Sequence, residues 1–467
     1  LAVIRPRPPR PASILVGKAA RAVTKLRGGS GSAFPGLVVE RLDPGFLASV
    51  LAQLPRGVVV VSGTNGKTTT TKMVVELLRG QGLKVFTNRS GSNFTRGVVA
   101  SVLGEISPRG TLEADIAVLE LDEAHAVHFV RAVAPRYSLL LNVMRDQLDR
   151  FGEIDTTAGM LRTIAEHTTQ GVVLNREDAR VARIADSIQG QEIRYFGLAP
   201  ELRKHFPSDD DLHVDTAAVG QPTPNHSVRD LCSNSADSEP KSCTDHALSE
   251  NEKAPYADVT LTGLGTQQGT FRISAGNSTE EITSELTVNG AYNTYNAAAA
   301  LTLVRMVLGE QIDFDALLRS LKEAAPAFGR GESLSVGGQP VDLVLVKNPA
   351  GFRLGLSSFS AEGVATMIAI NDNYADGRDM SWLWDVSFES LAGQGVAMVS
   401  GVRTYDMALR LHYDGVPVDA VEPELVVALD EFLAAHPQTP RRIFCTYTAM
   451  LALRKHLGSY TEVEAFN

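Results

Sequence analysis

A run of β-branched residues that ends in a glycine-rich loop and passes straight into a helical pattern leaves few choices of fold. Gly57-Val58-Val59-Val60-Val61-Ser62 reads as a short strand of the kind buried on both faces of a parallel sheet. Met73, Val74, Leu77 and Leu78 then recur at helical spacing, and Gly80 and Gly82 close the pattern. Between strand and helix lies Gly63-Thr64-Asn65-Gly66-Lys67-Thr68-Thr69. Glycines there let backbone N–H groups close on phosphate oxygens, and the helix N-terminus adds positive potential. Lys67 is expected to neutralise the β- and γ-phosphates and Thr68 to place its hydroxyl on Mg²⁺. The usual pattern has glycine at position 61, where this chain has Val61.

The 467 residues are too many for one ordinary core, so two or three domains are expected. Apolar runs at 116–121 and 137–143 alternate with helical stretches, as βαβ units require, and 56–200 reads as a doubly wound α/β unit. From about 202 to 258 the composition turns to Asp, Ser, Pro, Asn and Glu, too poor in apolar surface to offset the ordering of its backbone. This stretch is expected to be a disordered insertion. Order resumes with strand-like segments at 259–261 and 269–274 and an alanine-rich helix over 291–308. A second α/β unit is expected from near Arg330, with strands at 342–346, 365–370, 396–400 and 442–447 and helices at 404–412 and 424–436. The expected division is a basic segment 1–55, a nucleotide-binding domain 56–325 and a C-terminal domain 326–467.

A net charge of −10 and a pI near 5.6 argue against a general nucleic-acid binder. Residues 1–30 are the exception, with Arg5, Arg7, Arg10, Lys18, Arg21, Lys25 and Arg27, no acid, and apolar residues between. Two readings stand, a basic surface helix or attraction to an anionic membrane face. No run reaches the ~18 apolar residues of a spanning helix, and the start lacks the pattern of a secretory signal, which together predict a cytoplasmic protein. Cys232, Cys243 and Cys445 are too few for a disulfide framework. A structural zinc site needs four ligands, so Cys232 and Cys243, even with His226 and His246, are expected to hold none.

Acids are expected at the C-terminal edge of the first sheet, where open α/β sheets place their ligand crevice. Glu120 ends the strand at 116–119, and Asp146 and Asp149 follow the strand ending at Val143. Because Mg²⁺ takes few carboxylates beside phosphate and water, Glu120 alone suffices.

Taken together these residues resemble the Mur ligase family, whose features are the GTNGKTT loop, a magnesium-binding Glu, an Asn-x-x-Asn adenine site and a GR-x-E arginine. Here they read Gly63 to Thr69, Glu120 in Val-Leu-Glu-Leu-Asp-Glu, Asn293 and Asn296, and Arg330 in Phe-Gly-Arg-Gly-Glu. The resemblance implies ATP and Mg²⁺ as cofactors, with Asn296 and Asn293 on the adenine and Arg330 on the γ-phosphate. Peptide-forming members carry Asp-His-Leu-Asp and a carbamylated lysine. This chain has Asp146-Gln147-Leu148-Asp149 and no lysine between Lys84 and Lys204.

The C-terminal strings Val346-Lys347-Asn348-Pro349-Ala350-Gly351, residues 371–385 and Tyr447-Thr448-Ala449-Met450-Leu451 are similar to the MurT family of lipid II isoglutaminyl synthase subunits. That resemblance implies a heterodimer with a GatD-type glutaminase at the inner membrane face. ATP would activate the D-glutamate α-carboxylate of the lipid II stem peptide as an acyl phosphate, and ammonia would convert it to D-isoglutamine. It also implies that Asp379 completes the partner's glutaminase triad, with Asp372 and Asp376 as competing candidates. Asp379 and Ser381 equally precede the apolar stretch 382–391 and could cap a helix there. An amino-acid-adding ligase of the folylpolyglutamate or peptide-forming type, and a non-catalytic scaffold for a glutaminase, are the alternatives.

Overall fold

The structure, a computed structural model, describes residues 8–26, 33–88, 93–144, 153–206, 255–265, 267–275, 278–286, 290–309, 311–324, 330–359, 361–377 and 379–463. Three helices, α1 (Pro11–Leu26), α2 (Ala33–Leu42) and α3 (Phe46–Leu51), precede a nine-stranded sheet. Its elements run β1 (Val58–Ser62), α4 (Lys67–Gly80), β2 (Val85–Thr87), α5 (Thr95–Glu105), β3 (Ile116–Glu120), α6 (Glu123–Ala132), β4 (Tyr137–Leu140), α7 (Glu153–His167), β5 (Gly171–Asn175), α8 (Ala179–Ala182), β6 (Glu192–Leu198), β7 (Val259–Gly265), β8 (Gln268–Ala275) and β9 (Ser278–Glu285). Helices α9 (Ala291–Leu308) and α10 (Phe314–Glu323) lead to a six-stranded sheet. There the order is β10 (Arg330–Val336), β11 (Gln339–Leu345), α11 (Pro349–Ser358), β12 (Ala365–Ala369), β13 (Val396–Ser400), α12 (Thr404–Tyr413), β14 (Val418–Glu422), α13 (Leu425–Ala435), β15 (Arg441–Cys445) and α14 (Tyr447–Leu457).

The first sheet is ordered β2-β3-β1-β4-β5-β6-β7-β8-β9, parallel through β7 and antiparallel over its last three strands. Alternate residues of β1 feed opposite cores, Val59 and Val61 one face and Val58 and Val60 the other, as the period of a strand dictates. Helix α9 lies on the first of these faces with Ala297, Ala298, Ala299 and Ala300 fully buried. Buried on all sides, it is a central core helix rather than an amphipathic surface one. The chain turns to β3 on one side of β1 and to β4 on the other, so the loop after β1 opens at a switch point of the sheet.

The second sheet is ordered β10-β11-β15-β12-β13-β14, with only β10 antiparallel, and it too has a buried apolar cluster on each face. Two covered, mostly parallel sheets bear out the expected α/β class.

Two expectations need correction. The margins of the acidic stretch 202–258 are ordered: Pro200–His205 is a 3₁₀ turn, and Asp258 Oδ2 accepts the Tyr195 N–H at 3.1 Å. The remainder of that stretch, with Cys232, Cys243, His226 and His246, lies outside the described residues, as do Asp146, Gln147 and Asp149. The apolar run 382–391 forms two 3₁₀ turns, Ser381–Asp385 and Glu389–Leu391, not one helix. Side chains from around α12 satisfy the intervening backbone instead, with Asp414 Oδ2 accepting the Phe388 N–H at 2.7 Å and Arg410 Nη2 donating to Val386 O at 2.6 Å.

Candidate functional site

The loop Gly63 to Gly66 turns through conformations that require glycine, with φ of +133° at Gly63 and +86° at Gly66. A Cβ on Gly66 would also lie 2.7 Å from Asn296 Oδ1, so the loop and the α9 asparagine can approach only because residue 66 has no side chain. Asn142, just past β4, holds the loop from the other side. Its Oδ1 accepts the Asn65 N–H at 2.8 Å and its Nδ2 donates to Asn65 O at 3.0 Å. Thr64 Oγ1 bonds the backbone of Met144, accepting from its N–H at 3.1 Å. These bonds fix the cradle before any ligand arrives.

Lys67 opens α4 and is buried. Its Nζ donates to Gly63 O at 2.6 Å and pairs with Asp122 at 3.2 Å and Glu123 at 3.6 Å. Burial alone would lower the lysine pKa, but the charges of Glu123, Asp122 and Glu120 hold it above its ordinary value. Thr68 Oγ1 donates to Glu120 Oε1 at 2.8 Å, so the two oxygens assigned to one cation already converge. Glu120 is locked by Asn88, whose amide bonds both its N–H and its C=O at 2.9 Å.

A cleft of about 350 Å³ joins these residues to the second sheet, with Asn293 and Asn296 on one wall and Val344, Lys347 and Asp376 on another. Of the two asparagines, Asn296 is buried. Asn348 caps α11 through the Gly351 N–H at 2.7 Å, and its Nδ2 lies 3.5 Å from Asn65 Oδ1, linking the two halves across the cleft. Arg330 begins β10 with its backbone paired to Val344, a cleft residue, while its side chain lies outside what the structure describes. Two residues on, Glu332 is clamped by Arg454 of α14 through three bonds of 2.9 to 3.1 Å.

Among the three C-terminal acids, two are committed inside the chain. Asp376 is buried and accepts the Thr448 N–H at 2.7 Å and its hydroxyl at 2.5 Å, and Asp372 pairs with Arg403 at 2.9 Å. Asp379 is exposed. Its Oδ1 accepts the Ser381 N–H at 2.9 Å, and hydrogen bonds from the Ser381 hydroxyl and N–H hold its carboxyl below the usual range. Asp379 thus bonds the first N–H of the turn Ser381–Asp385 from one residue before its capping position, Met380, while its carboxylate stays in contact with solvent.

Four asparagines at strand ends were missed in the sequence. Asn88 follows β2, Asn142 follows β4, Asn175 ends β5 and Asn371 follows β12. Each ties its strand to a neighbour: Asn175 Nδ2 donates to Leu141 O at 2.8 Å, and Asn371 bonds Thr448 and Val402. The signal that could have found them is an apolar run that stops on asparagine, as in Leu139-Leu140-Leu141-Asn142 and Val172-Val173-Leu174-Asn175.

Comparison with known proteins matches residues 61–218 to the Mur ligase middle domain and residues 345–450 to the MurT ligase C-terminal domain. The fold resembles that of a MurF ligase from Thermotoga maritima in complex with ADP, at a TM-score of 0.62 and 16% identity, covering 91% of this chain and 84% of that one. Two relatives carry the name lipid II isoglutaminyl synthase (glutamine-hydrolyzing) subunit MurT. That of Staphylococcus aureus is 28% identical over 88% of this chain and 89% of its own. That of Streptococcus pneumoniae is 30% identical over 462 residues, 96% of each chain. With such similarity sustained from end to end, and both halves matched by their own domain families, this chain belongs to the MurT family of Mur-type ligases.

Proposed function

We propose that this chain is the synthetase subunit of a glutamine-dependent amidotransferase that acts on lipid II during peptidoglycan synthesis. The observation that carries the reading is the union, in one chain, of a complete phosphate cradle with a MurT-type C-terminal half across a shared cleft. The γ-phosphoryl group of ATP passes to an oxygen of the D-glutamate α-carboxylate, giving an acyl phosphate and ADP. Ammonia then attacks the carbonyl carbon, phosphate leaves with the C–O bond electrons, and loss of a proton from nitrogen leaves the amide. Lys67 and Arg330 clamp the charge of the transferred group, the dominant form of catalysis for such transfers. Gly63, Thr64, Asn65, Gly66 and Thr69 form the rest of the phosphate cradle, and Asn293 and Asn296 hold the adenine. Thr68 and Glu120 supply hard oxygen ligands that suit Mg²⁺, which when bound would offset phosphate charge.

Ammonia comes from a GatD-type glutaminase that docks on the C-terminal domain, 326–467, and Asp379 orients that partner's catalytic histidine. Its exposure and its ionised state support this assignment, because a carboxylate must be charged and accessible to act across an interface. No helix among the described residues is long and apolar enough to cross a membrane. The proposed reaction needs ATP, which places the chain's encounter with its lipid-linked substrate at the cytoplasmic face.

The test is reconstitution with a candidate glutaminase, ATP, glutamine and lipid II, followed by mass analysis of the muropeptide. A carboxamide at the D-glutamate position is expected. A product lengthened by an amino acid would establish a peptide-forming ligase instead, and a complex with no ATP-dependent product would leave only a scaffold.

A further inference from the structure

Helix α1 is built inside out. Between Pro11 and Thr24 every exposed residue is apolar, led by Leu15, Val16 and Val23, which are 62%, 44% and 48% exposed. Leu15, Ala19 and Val23 repeat every four residues, so they form one continuous face. The inner face holds the residues expected outside. Lys18 Nζ donates to Ile106 O at 2.5 Å, and the Arg21 guanidinium packs against Gly104 of α5. The helix sits flat in this orientation because a Cβ on Gly17 would lie 2.5 Å from Val39 and 2.7 Å from Leu103. Ile14 is fully buried in the same layer, which pins the rotation of α1 about its axis. The neighbouring α2 also exposes two large apolar side chains, Phe34 and Leu42.

Charge narrows the choice of what covers this face. Seven Lys and Arg residues occur in the first 30 positions, and the first acid in the chain is Glu40, although the whole chain carries a net charge of −10. An apolar helical face carried by a stretch of seven cations and no acid suits an anionic lipid surface: the net positive charge of the stretch draws it to the surface, and Leu15, Val16 and Val23 enter the acyl boundary. A second copy of the chain would bring two stretches of net positive charge together, and like charges oppose that pairing.

We infer that α1, through Leu15, Val16 and Val23, docks this protein peripherally on an anionic bilayer. The inference does not depend on the amidation reading, because it concerns a face remote in sequence from the phosphate loop and is read without turnover.

The experiment mixes the full chain, with its glutaminase partner if one copurifies, with vesicles of phosphatidylglycerol and phosphatidylcholine or of phosphatidylcholine alone, and measures cosedimentation. Binding to the anionic vesicles is expected, weakened by salt and reduced at least roughly tenfold by Leu15→Ser, Val16→Ser and Val23→Ser combined. Nucleotide binding by the triple variant should match the parent, which confirms its fold. As a second readout, Leu15→Trp should gain a blue-shifted emission component on anionic vesicles. The inference is overturned if the parent chain does not sediment with anionic vesicles, or if the triple variant sediments equally. It is also overturned if the triple variant changes only the oligomeric mass or the capture of the partner subunit, which would assign the face to a protein contact.

Discussion

The C-terminal edges of the two sheets are built alike but finished differently. Along the first, Asn88, Asn142 and Asn175 stitch neighbouring strand ends together, and the groups they position already have partners: Lys67 with Asp122 and Glu123, Thr68 with Glu120. Along the second, Asn371 does the same stitching between Thr448 and Val402. What it supports, however, is an exposed loop bearing Asp379, with Tyr374 91% exposed and Trp384 and Tyr405 also exposed nearby in sequence. The polar groups of the first edge are paired among themselves on one wall of the cleft that the second sheet completes. The second offers an ionised carboxylate and aromatic surface, as half of a site shared with another protein would.

The widest separation between the two edges comes from single substitutions at each. Lys67→Ala should reduce ATP-dependent amidation with either glutamine or ammonium by a factor on the order of 10⁵, the upper range for losing one cationic clamp on a transferred phosphoryl group. Because Lys67 is buried between acids, some loss of thermal stability should accompany it, so folding must be checked by circular dichroism and partner copurification. Activity near the parent level in the folded variant would end the phosphate-site assignment. Asp379→Asn should act on one nitrogen source alone. Glutamine-driven amidation is expected to fall by ~10⁴, the precedent for an Asp→Asn change in a catalytic triad, while amidation with high ammonium persists. Equal loss with both sources, in a complex that still assembles, would move Asp379 to the synthetase site.

Asn142→Ala tests the stitching itself. It leaves the Asn65 N–H and C=O without their 2.8 and 3.0 Å partners, at a cost of about 2 kcal/mol to the ordered loop. Nucleotide affinity measured by calorimetry should fall by roughly thirtyfold, with the loss appearing in binding rather than in ammonium-driven turnover at saturating ATP. An unchanged affinity would mean that the glycines alone shape the loop.

Much of this was legible in the sequence, for reasons that also mark where it stopped. A strand, a glycine loop and a helix in succession are local, so the cradle from Gly63 to Thr69 and the strand-end Glu120 could be read directly. Helix α9 was placed to the residue because its alanines and its flanking glycines are local signals too. Pairings between distant segments were not readable. Nothing near Lys67 in the chain announces Asp122 and Glu123, which reach it only because β3 lies beside β1. Nor does the apolar run after Ser381 reveal that Asp414 and Arg410 will capture its backbone and break it into turns. The basic character of the first 30 residues was plain, but which face of α1 turns inward depends on Gly17 meeting Val39 and Leu103.

The smallest expected effect concerns Asp122, and it distinguishes a competitor for Lys67 from a ligand for the nucleotide's cation. Without nucleotide, the Lys67 ammonium is held by Gly63 O, Asp122 and Glu123, and phosphate must displace at least one of these carboxylates to reach it. Asp122 is the closer but also the more solvent-exposed of the two, with 37% of its side chain accessible against 17% for Glu123, so its grip is partly screened. Because the Asp122 end of the pair is open to solvent, its net worth is on the order of 1 kcal/mol. Asp122→Asn keeps the shape and removes the competing charge, so ATP affinity should rise by roughly threefold, and by the same factor with or without Mg²⁺. If affinity instead falls, and only when Mg²⁺ is present, Asp122 belongs with Glu120 and Thr68 on the cation, and the acids around Lys67 serve the nucleotide's metal rather than the resting lysine.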